Sequence, residues 1–162
     1  MSTLYVDTIT EKTSGNGVVI PGHIIQVKYR AVANNGFATT SSTMTDVTDW
    51  YVDITPKSAS NILVWQSSIT IRSDTLSAYS RYRIVDSNNS DTQWSSNSYM
   101  GQSGYYQNAT GLEEVPFLHA NTAGTTNAMR LQLQLQVNSG GSANNGWSNS
   151  DHRIIMVTEI AQ

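Results

Sequence analysis

The chain has 162 residues, of which 38% are hydrophobic and 13% are charged, with a formal net charge of -3 and no cysteine. This length suits one domain, and the absence of cysteine excludes disulfides and thiolate metal sites. The charge balance gives no basic field for a phosphate backbone, and neither a spanning apolar run nor a signal peptide is visible, so we expect no nucleic-acid partner and no membrane insertion.

The N-terminal segment, residues 1–22, has the pattern of an extended arm. Its stretch "TLYVDTI" alternates like a strand, and the turn dipeptides Asn16-Gly17 and Pro21-Gly22 separate it from the rest of the chain. A strand cut off in this way needs backbone partners, which the edge of another chain can supply. We therefore expect the arm to anchor the chain to a neighbouring protein through Leu4, Val6 and Ile9.

Period-2 alternation of apolar residues continues through residues 23–162. The run "HIIQVKYRAVA" places Ile25, Val27, Tyr29 and Ala31 on one face, which predicts that this face is buried. "ILVWQSSITIR" predicts a long central strand, and Trp50 and Trp65 lie within apolar alternation typical of a core. Further strands are predicted at "YSRYRIVD", with Tyr82 and Ile84 inward, and at "EVPFLHA", "MRLQLQLQV" and "RIIMVTEI".

About eight strands with long irregular connections favour one architecture. The fold class is all-β, a two-sheet β-sandwich of jelly-roll type with an extended N-terminal arm. The arm takes residues 1–22 and the sandwich, as a head domain, takes residues 23–162.

The strand "MRLQLQLQV" has an unusual polar face. Leucine and valine occupy one side, whereas Gln132, Gln134 and Gln136 occupy the other, where lysine, glutamate or threonine is more usual. A polar sheet face without charge can lie against another protein surface, since glutamines pair with one another without the desolvation cost of buried charges. These three residues are therefore predicted to form an interface with another copy of the chain or with a neighbouring protein.

Catalytic and metal-binding patterns have little support. Glu113 and Glu114 are adjacent, but neighbouring residues of a strand face opposite ways and cannot flank one bond. His23, His119 and His152 are isolated, without the spacing of a zinc motif. We expect no catalytic residue, no metal site and no cofactor, with His119 an ordinary strand residue.

Aromatic residues in polar loops are the stronger functional signal. A group of rings lies among serine, asparagine, glutamine and glycine, a mixture found in surfaces where rigid rings supply contact area. The alternative is that each ring packs its own loop onto the sandwich. The candidate receptor-binding residues are Trp94, Tyr99, Tyr105, Tyr106 and Trp147.

Three segments carry a family resemblance: "MSTLYVDTITEKTSGNGVVIPGHIIQV", "VDITPKSASNILV" and "IIMVTEIAQ". They resemble tail-fibre and other virion-surface proteins of tailed phages, especially those that infect marine bacteria and cyanobacteria. The resemblance implies a structural or adhesive role at the virion surface, as a trimer of β-rich heads without a cofactor, with the arm attached to neighbouring virion proteins. Nothing in residues 73–111 takes part in it.

Two functional hypotheses remain open. The first is a host-adhesion module, a tail-fibre or tail-tip head whose aromatic loops bind a cell-surface glycan or protein. The second is a capsid decoration protein whose arm clamps neighbouring subunits. An esterase or glycan hydrolase is a distant third, because no acid and base pair is found for it.

Overall fold

The structure is a computed structural model that describes residues 21–33, 37–73, 79–95, 101–104, 112–137, 143–145 and 152–162. These residues form two antiparallel sheets around one core, so the chain is an all-β, two-sheet sandwich of jelly-roll type, as predicted. The predicted anchor residues Leu4, Val6 and Ile9 lie outside the described residues.

The strands follow the alternation of the sequence. In chain order within the described part they are β1 (Ile24–Ala33), β2 (Ala38–Thr39), β3 (Thr45–Ile54), β4 (Ile62–Ser73), β5 (Tyr79–Asp86), β6 (Thr92–Gln93), β7 (Gly101–Gly104), β8 (Leu112–Thr122), β9 (Met129–Val137), β10 (Ala143–Asn145) and β11 (His152–Ile160). A short 3-10 turn, Ser87–Asn89, comes directly after β5.

The two sheets divide these strands. In sheet A the order is β1-β11-β4-β10-β2, with β8 paired to β4, and in sheet B it is β3-β9-β5-β6, with β7 paired to β5. Strand β4 is paired along one side with β8 and along the other with β11 and β10. The prediction of a long central strand is therefore confirmed.

The core lies between the inward faces of the sheets. Strand β9 contributes Leu131, Leu133 and Leu135, which are fully buried, and β4 contributes Leu63 and Trp65 from the opposite sheet. The predicted inward residues Trp50, Tyr82 and Ile84 are also buried. Removing these side chains from water is the main force that holds the sheets together.

The prediction for β1 is wrong in its orientation. Val27 and Tyr29, expected inside, are 45% and 73% exposed, whereas Val32 of the opposite parity is buried in the core. Polar side chains of β1 face the second sheet instead: Gln26 donates a hydrogen bond to the carbonyl oxygen of Thr55, and Arg30 pairs with Asp49. Alternation shows that two faces differ, but not which one the second sheet covers.

A fully buried carboxylate, Glu159, joins three parts of the chain. Its oxygens accept hydrogen bonds from Nε2 of Gln26 at 2.6 Å, Nδ2 of Asn61 at 2.7 Å and the backbone N–H of Lys57 at 2.7 Å. Several donors to one carboxylate offset the cost of its burial. Glu159 thereby fixes β11 to β1 and to the loop between β3 and β4.

The predicted turn at Pro21-Gly22 is present. Gly22 has φ +83°, a left-handed conformation that glycine adopts without a steric penalty. Its N–H donates to the carbonyl oxygen of Ala161, and the N–H of Ala161 donates to the carbonyl oxygen of His23, both at 2.9 Å. The chain is thus held to the sandwich from Gly22 onward.

Candidate functional site

The outer surface of sheet A is the most unusual surface of the described chain. Strand register aligns Tyr29 of β1 with Met156 of β11, Met156 with Gln66 of β4, and Gln66 with Leu118 of β8. These side chains point away from the core because their neighbours, such as Ile155 and Trp65, point into it. We call this surface the apolar face and define it by Ile24, Val27, Tyr29, Val64, Gln66, Leu118, Ile154 and Met156.

The apolar face leaves several large apolar side chains in contact with water. Tyr29 is 73% exposed, Leu118 72% and Ile154 62%, and Ile24 and Val27 are close to half exposed. A shallow groove of about 780 Å³ crosses the face between Ile154 and Leu118, with Gln66 and Met156 in its lining. Scattered exposed apolar residues are ordinary, but a contiguous group of this kind marks an interaction surface.

A run of successive apolar residues in β11 is the sequence feature that indicates this surface. In "RIIMV" Ile154, Ile155, Met156 and Val157 come one after another, so both faces of β11 are apolar. A strand that is apolar on both sides is typical of a sheet covered on both sides. In the described chain the core covers Ile155 and Val157, but nothing covers Ile154.

A second surface, which we call the basic groove, lies where β1 of sheet A approaches β3 of sheet B. It has a volume of about 520 Å³, and three cationic side chains and one carboxylate contribute to its lining: Lys28, Lys57, Arg130 and Asp53. Lys28 and Lys57 are exposed. The surplus of positive charge suits a small anionic group, such as the carboxylate of an acidic sugar.

Ion pairs and an aromatic ring lie at the edge of the basic groove. Arg130 donates to both carboxylate oxygens of Asp53, at 2.8 and 3.0 Å, and these hydrogen bonds raise the pKa of Arg130. The guanidinium groups of Arg30 and Arg130 lie 4.0 and 4.1 Å from the centre of the Tyr51 ring. Cation–π contacts thus connect β1 with β3 and β9.

The glutamine residues predicted to form an interface find partners inside the chain. Gln132 is 6% exposed and donates through Nε2 to the carbonyl oxygens of Val47 and Trp50, at 2.8 and 3.1 Å. Gln134 is 4% exposed; it donates to Asp46 and accepts from Nε of Arg83. Gln136 is half-buried. The uncharged pattern therefore has an intramolecular explanation, and the homotrimer stays a prediction.

The predicted receptor-binding rings are described only in part. Trp94 is 6% exposed, packs edge-to-face on His119 with ring centroids 5.3 Å apart, and its carbonyl oxygen accepts from Nδ2 of Asn121. This placement favours the alternative in which the ring fixes its loop to the sandwich. The other four rings lie outside the described residues: Tyr99, Tyr105, Tyr106 and Trp147.

The adjacent glutamates of the sequence lie in strand β8. Glu113 and Glu114 are successive residues of β8, paired with Ile71 and Thr70. Among the described residues, no group of three histidine, cysteine, aspartate or glutamate side chains could hold a metal ion. In the same part of the chain, no helix has the length and hydropathy needed to cross a membrane.

Comparison with known proteins adds a limited likeness of fold. No protein-family model matches the sequence, and no curated protein matches it. Solved structures of the VP2 protein of infectious bursal disease virus are similar, each at 9% sequence identity. A mutant in T=1 particles has a TM-score of 0.45 over 94% of this chain, and another T=1 particle has a TM-score of 0.46 over 96%. The Gt strain has a TM-score of 0.42 over 95% of this chain. The chain spans only 40 to 42% of the length of these VP2 chains, and no functional residue is transferred from them.

Proposed function

We propose that the protein is a non-enzymatic structural protein on the outside of a tailed-phage virion, a tail-fibre or tail-tip head for host adhesion. The apolar face is the observation that carries this proposal. A contiguous group of exposed apolar side chains lowers the solubility of a protein. Assembly with another protein surface covers these side chains and removes that cost. The segments that resemble virion-surface proteins support the same role.

Adhesion is supported by the basic groove. Lys28 and Lys57 place two exposed cations beside the Arg130–Asp53 pair, where an acidic group on a host glycan can bind. The aromatic loops are a second candidate contact, through Tyr99, Tyr105, Tyr106 and Trp147. The resemblance implies a trimeric head.

Capsid decoration is the alternative function, and the arm favours it. The hydrogen bond from the N–H of Gly22 to the carbonyl oxygen of Ala161 ties the chain to the sandwich at the predicted boundary, and the arm, residues 1–22, is the segment proposed to clamp a neighbouring subunit. Under this alternative the apolar face packs against capsid proteins and the basic groove has no ligand.

Copy number per particle separates the two functions. Quantitative mass spectrometry of purified virions is expected to find a few copies for each tail, and purified protein is expected to block adsorption of phage to host cells. Hundreds of copies, without any block of adsorption, would favour decoration. Absence from purified particles would contradict both functions.

Attachment through the arm is tested separately. A chain that begins at Gly22 is expected to fold, by circular dichroism, but not to attach to particles that lack this protein. Normal attachment would show that Leu4, Val6 and Ile9 are not the anchor, and failure to fold would show that the domain boundary is misplaced.

A further inference from the structure

Within the described chain, the apolar face carries no charged residue over its central strands. Its central rows consist of Val27, Tyr29 and Ala31 of β1, Thr158, Met156 and Ile154 of β11, Val64, Gln66 and Ser68 of β4, and Ala120, Leu118 and Pro116 of β8. Charged residues are depleted at the centre of protein interfaces, because their desolvation is costly. A partner for this surface is therefore expected to be equally uncharged, and the same face of a second copy meets that condition.

The exposed area is close to what a stable pair of chains requires. The five most exposed apolar side chains leave roughly 600 Å² of surface in contact with water, against about 800 Å² buried by each partner in a standard interface. The half-buried side chains of Val64 and Met156 and the exposed side chain of Gln66 extend this area. A contact between two copies of the face can thus reach the size of a specific interface.

The face is also complementary to itself in shape. Tyr29 projects from β1, while the groove crosses β11, β4 and β8, with Gln66 in its lining. Strand β11 lies between β1 and β4, and Tyr29, Met156 and Gln66 occupy one row across these three strands. A twofold axis parallel to β11 and above Met156 therefore places Tyr29 of one copy opposite Gln66 of the other.

We propose that the apolar face packs against the same face of a second copy of the chain, about a twofold axis along β11. Each Tyr29 then lies over Gln66 of the other copy and enters its groove. Leu118 forms the outer rim of that groove. A groove of about 780 Å³ accommodates a tyrosine side chain. In this isologous contact the partner of the apolar face is a second copy of the chain, and no other protein is needed. The inference rests on the proposed function to the extent that both assign the apolar face to assembly.

Solution mass tests the contact independently of the virion. Light scattering on the full chain at micromolar concentration is expected to give about twice the 17.7 kDa chain mass, in place of the threefold mass of the homotrimer that the resemblance implies. Tyr29→Glu should weaken self-association by more than about tenfold, because it places a charge in the buried centre, and Met156→Glu should do the same, because Met156 lies on the axis. Thr126→Glu, in an exposed loop away from the face, is the matched control and should remain paired.

Cross-linking tests the twofold geometry, and the absence of natural cysteines makes it specific. Met156 lies on the proposed axis, so the Met156 residues of the two copies face each other, with Cα atoms about 10 Å apart, the spacing of packed sheets. This distance exceeds the roughly 7 Å that a disulfide allows, so a short bifunctional maleimide serves as the cross-linker. The variant Met156→Cys should therefore give a covalent dimer, whereas Thr126→Cys should not.

Several results would overturn the proposal. A monomer at micromolar concentration would do so, as would a dimer that survives both glutamate substitutions, a dimer in which Met156→Cys is not cross-linked, or a trimer. A monomer whose face variants fail to enter particles would assign the face to another virion protein. A dimer that is absent from virions would support the contact and contradict only the proposed function.

Discussion

Gln132 donates a hydrogen bond from Nε2 to the carbonyl oxygen of Val47, at 2.8 Å, across the irregular part of strand β3. The register between β3 and β9 shifts between Asp46 and Tyr51, and Asp49 there has φ +65°. A bulge leaves backbone groups without ladder partners, and buried carbonyls without a donor are costly. The amide of Gln132 supplies that donor.

Substitution of Gln132 tests this role. Gln132→Ala should lower the free energy of unfolding by about 1–3 kcal/mol, because the carbonyls of Val47 and Trp50 lose their donor in a buried site. Urea denaturation measures the change. Gln136→Ala, in the same strand but only half-buried, should change stability by less than about 0.5 kcal/mol. Equal effects of the two substitutions would contradict a specific role for Gln132.

Glu159 is expected to be among the most important polar residues for stability. Glu159→Ala should cost about 3 kcal/mol or more, because it leaves the buried amide of Asn61 and the N–H of Lys57 without their acceptor. Thermal and urea unfolding provide the measurement. Lys57→Ala is the control, since it keeps the backbone donor and removes only an exposed side chain. A stable Glu159→Ala protein would show that these donors find other acceptors.

Trp94 should contribute to stability. Trp94→Ala removes a buried indole that contacts His119 and should lower the free energy of unfolding by about 3–5 kcal/mol. Binding to host cells, corrected for the folded fraction, should be unchanged. Loss of binding at unchanged melting temperature would instead restore Trp94 as a receptor contact.

His119 gives the protein a dependence on pH. Burial lowers the pKa of His119 below its ordinary value of 6.5, so below about pH 6.5 the unfolded chain binds a proton more readily than the folded chain. The stability associated with His119 is therefore present above that pH and is lost as the pH falls through the lower, folded-state pKa. Urea unfolding at pH 7.5 and 5.5 measures the loss. His119→Gln should reduce it.

The basic groove makes a prediction for adhesion. Lys28→Glu and Lys57→Glu should each weaken binding to host cells by about tenfold, and added salt should weaken binding of the unmodified chain, because exposed charges are screened. Lys57→Arg keeps the charge and should bind nearly as well. Full binding by both glutamate variants would remove the groove from the adhesive surface.

The sequence by itself determined the fold class and most of the core. In β9 the alternation of leucine and glutamine fixed which side chains face the core, because the side-chain period of a strand is two and only one face of sheet B is covered by sheet A. The same rule placed Trp50, Trp65, Tyr82 and Ile84 correctly.

Only the tertiary structure decided the rest. Tyr29 became an exposed residue because β1 turns its polar face inward, where Gln26 donates hydrogen bonds to Glu159 of the neighbouring strand β11 and to the carbonyl oxygen of Thr55, just after β3 of the second sheet. Gln132 became buried because it donates to a carbonyl oxygen at the bulge of β3, and Gln134 became buried because Arg83 of β5 donates to it. Periodicity specifies two faces of each strand, but which face meets another surface depends on strand order and on contacts between residues far apart in the chain.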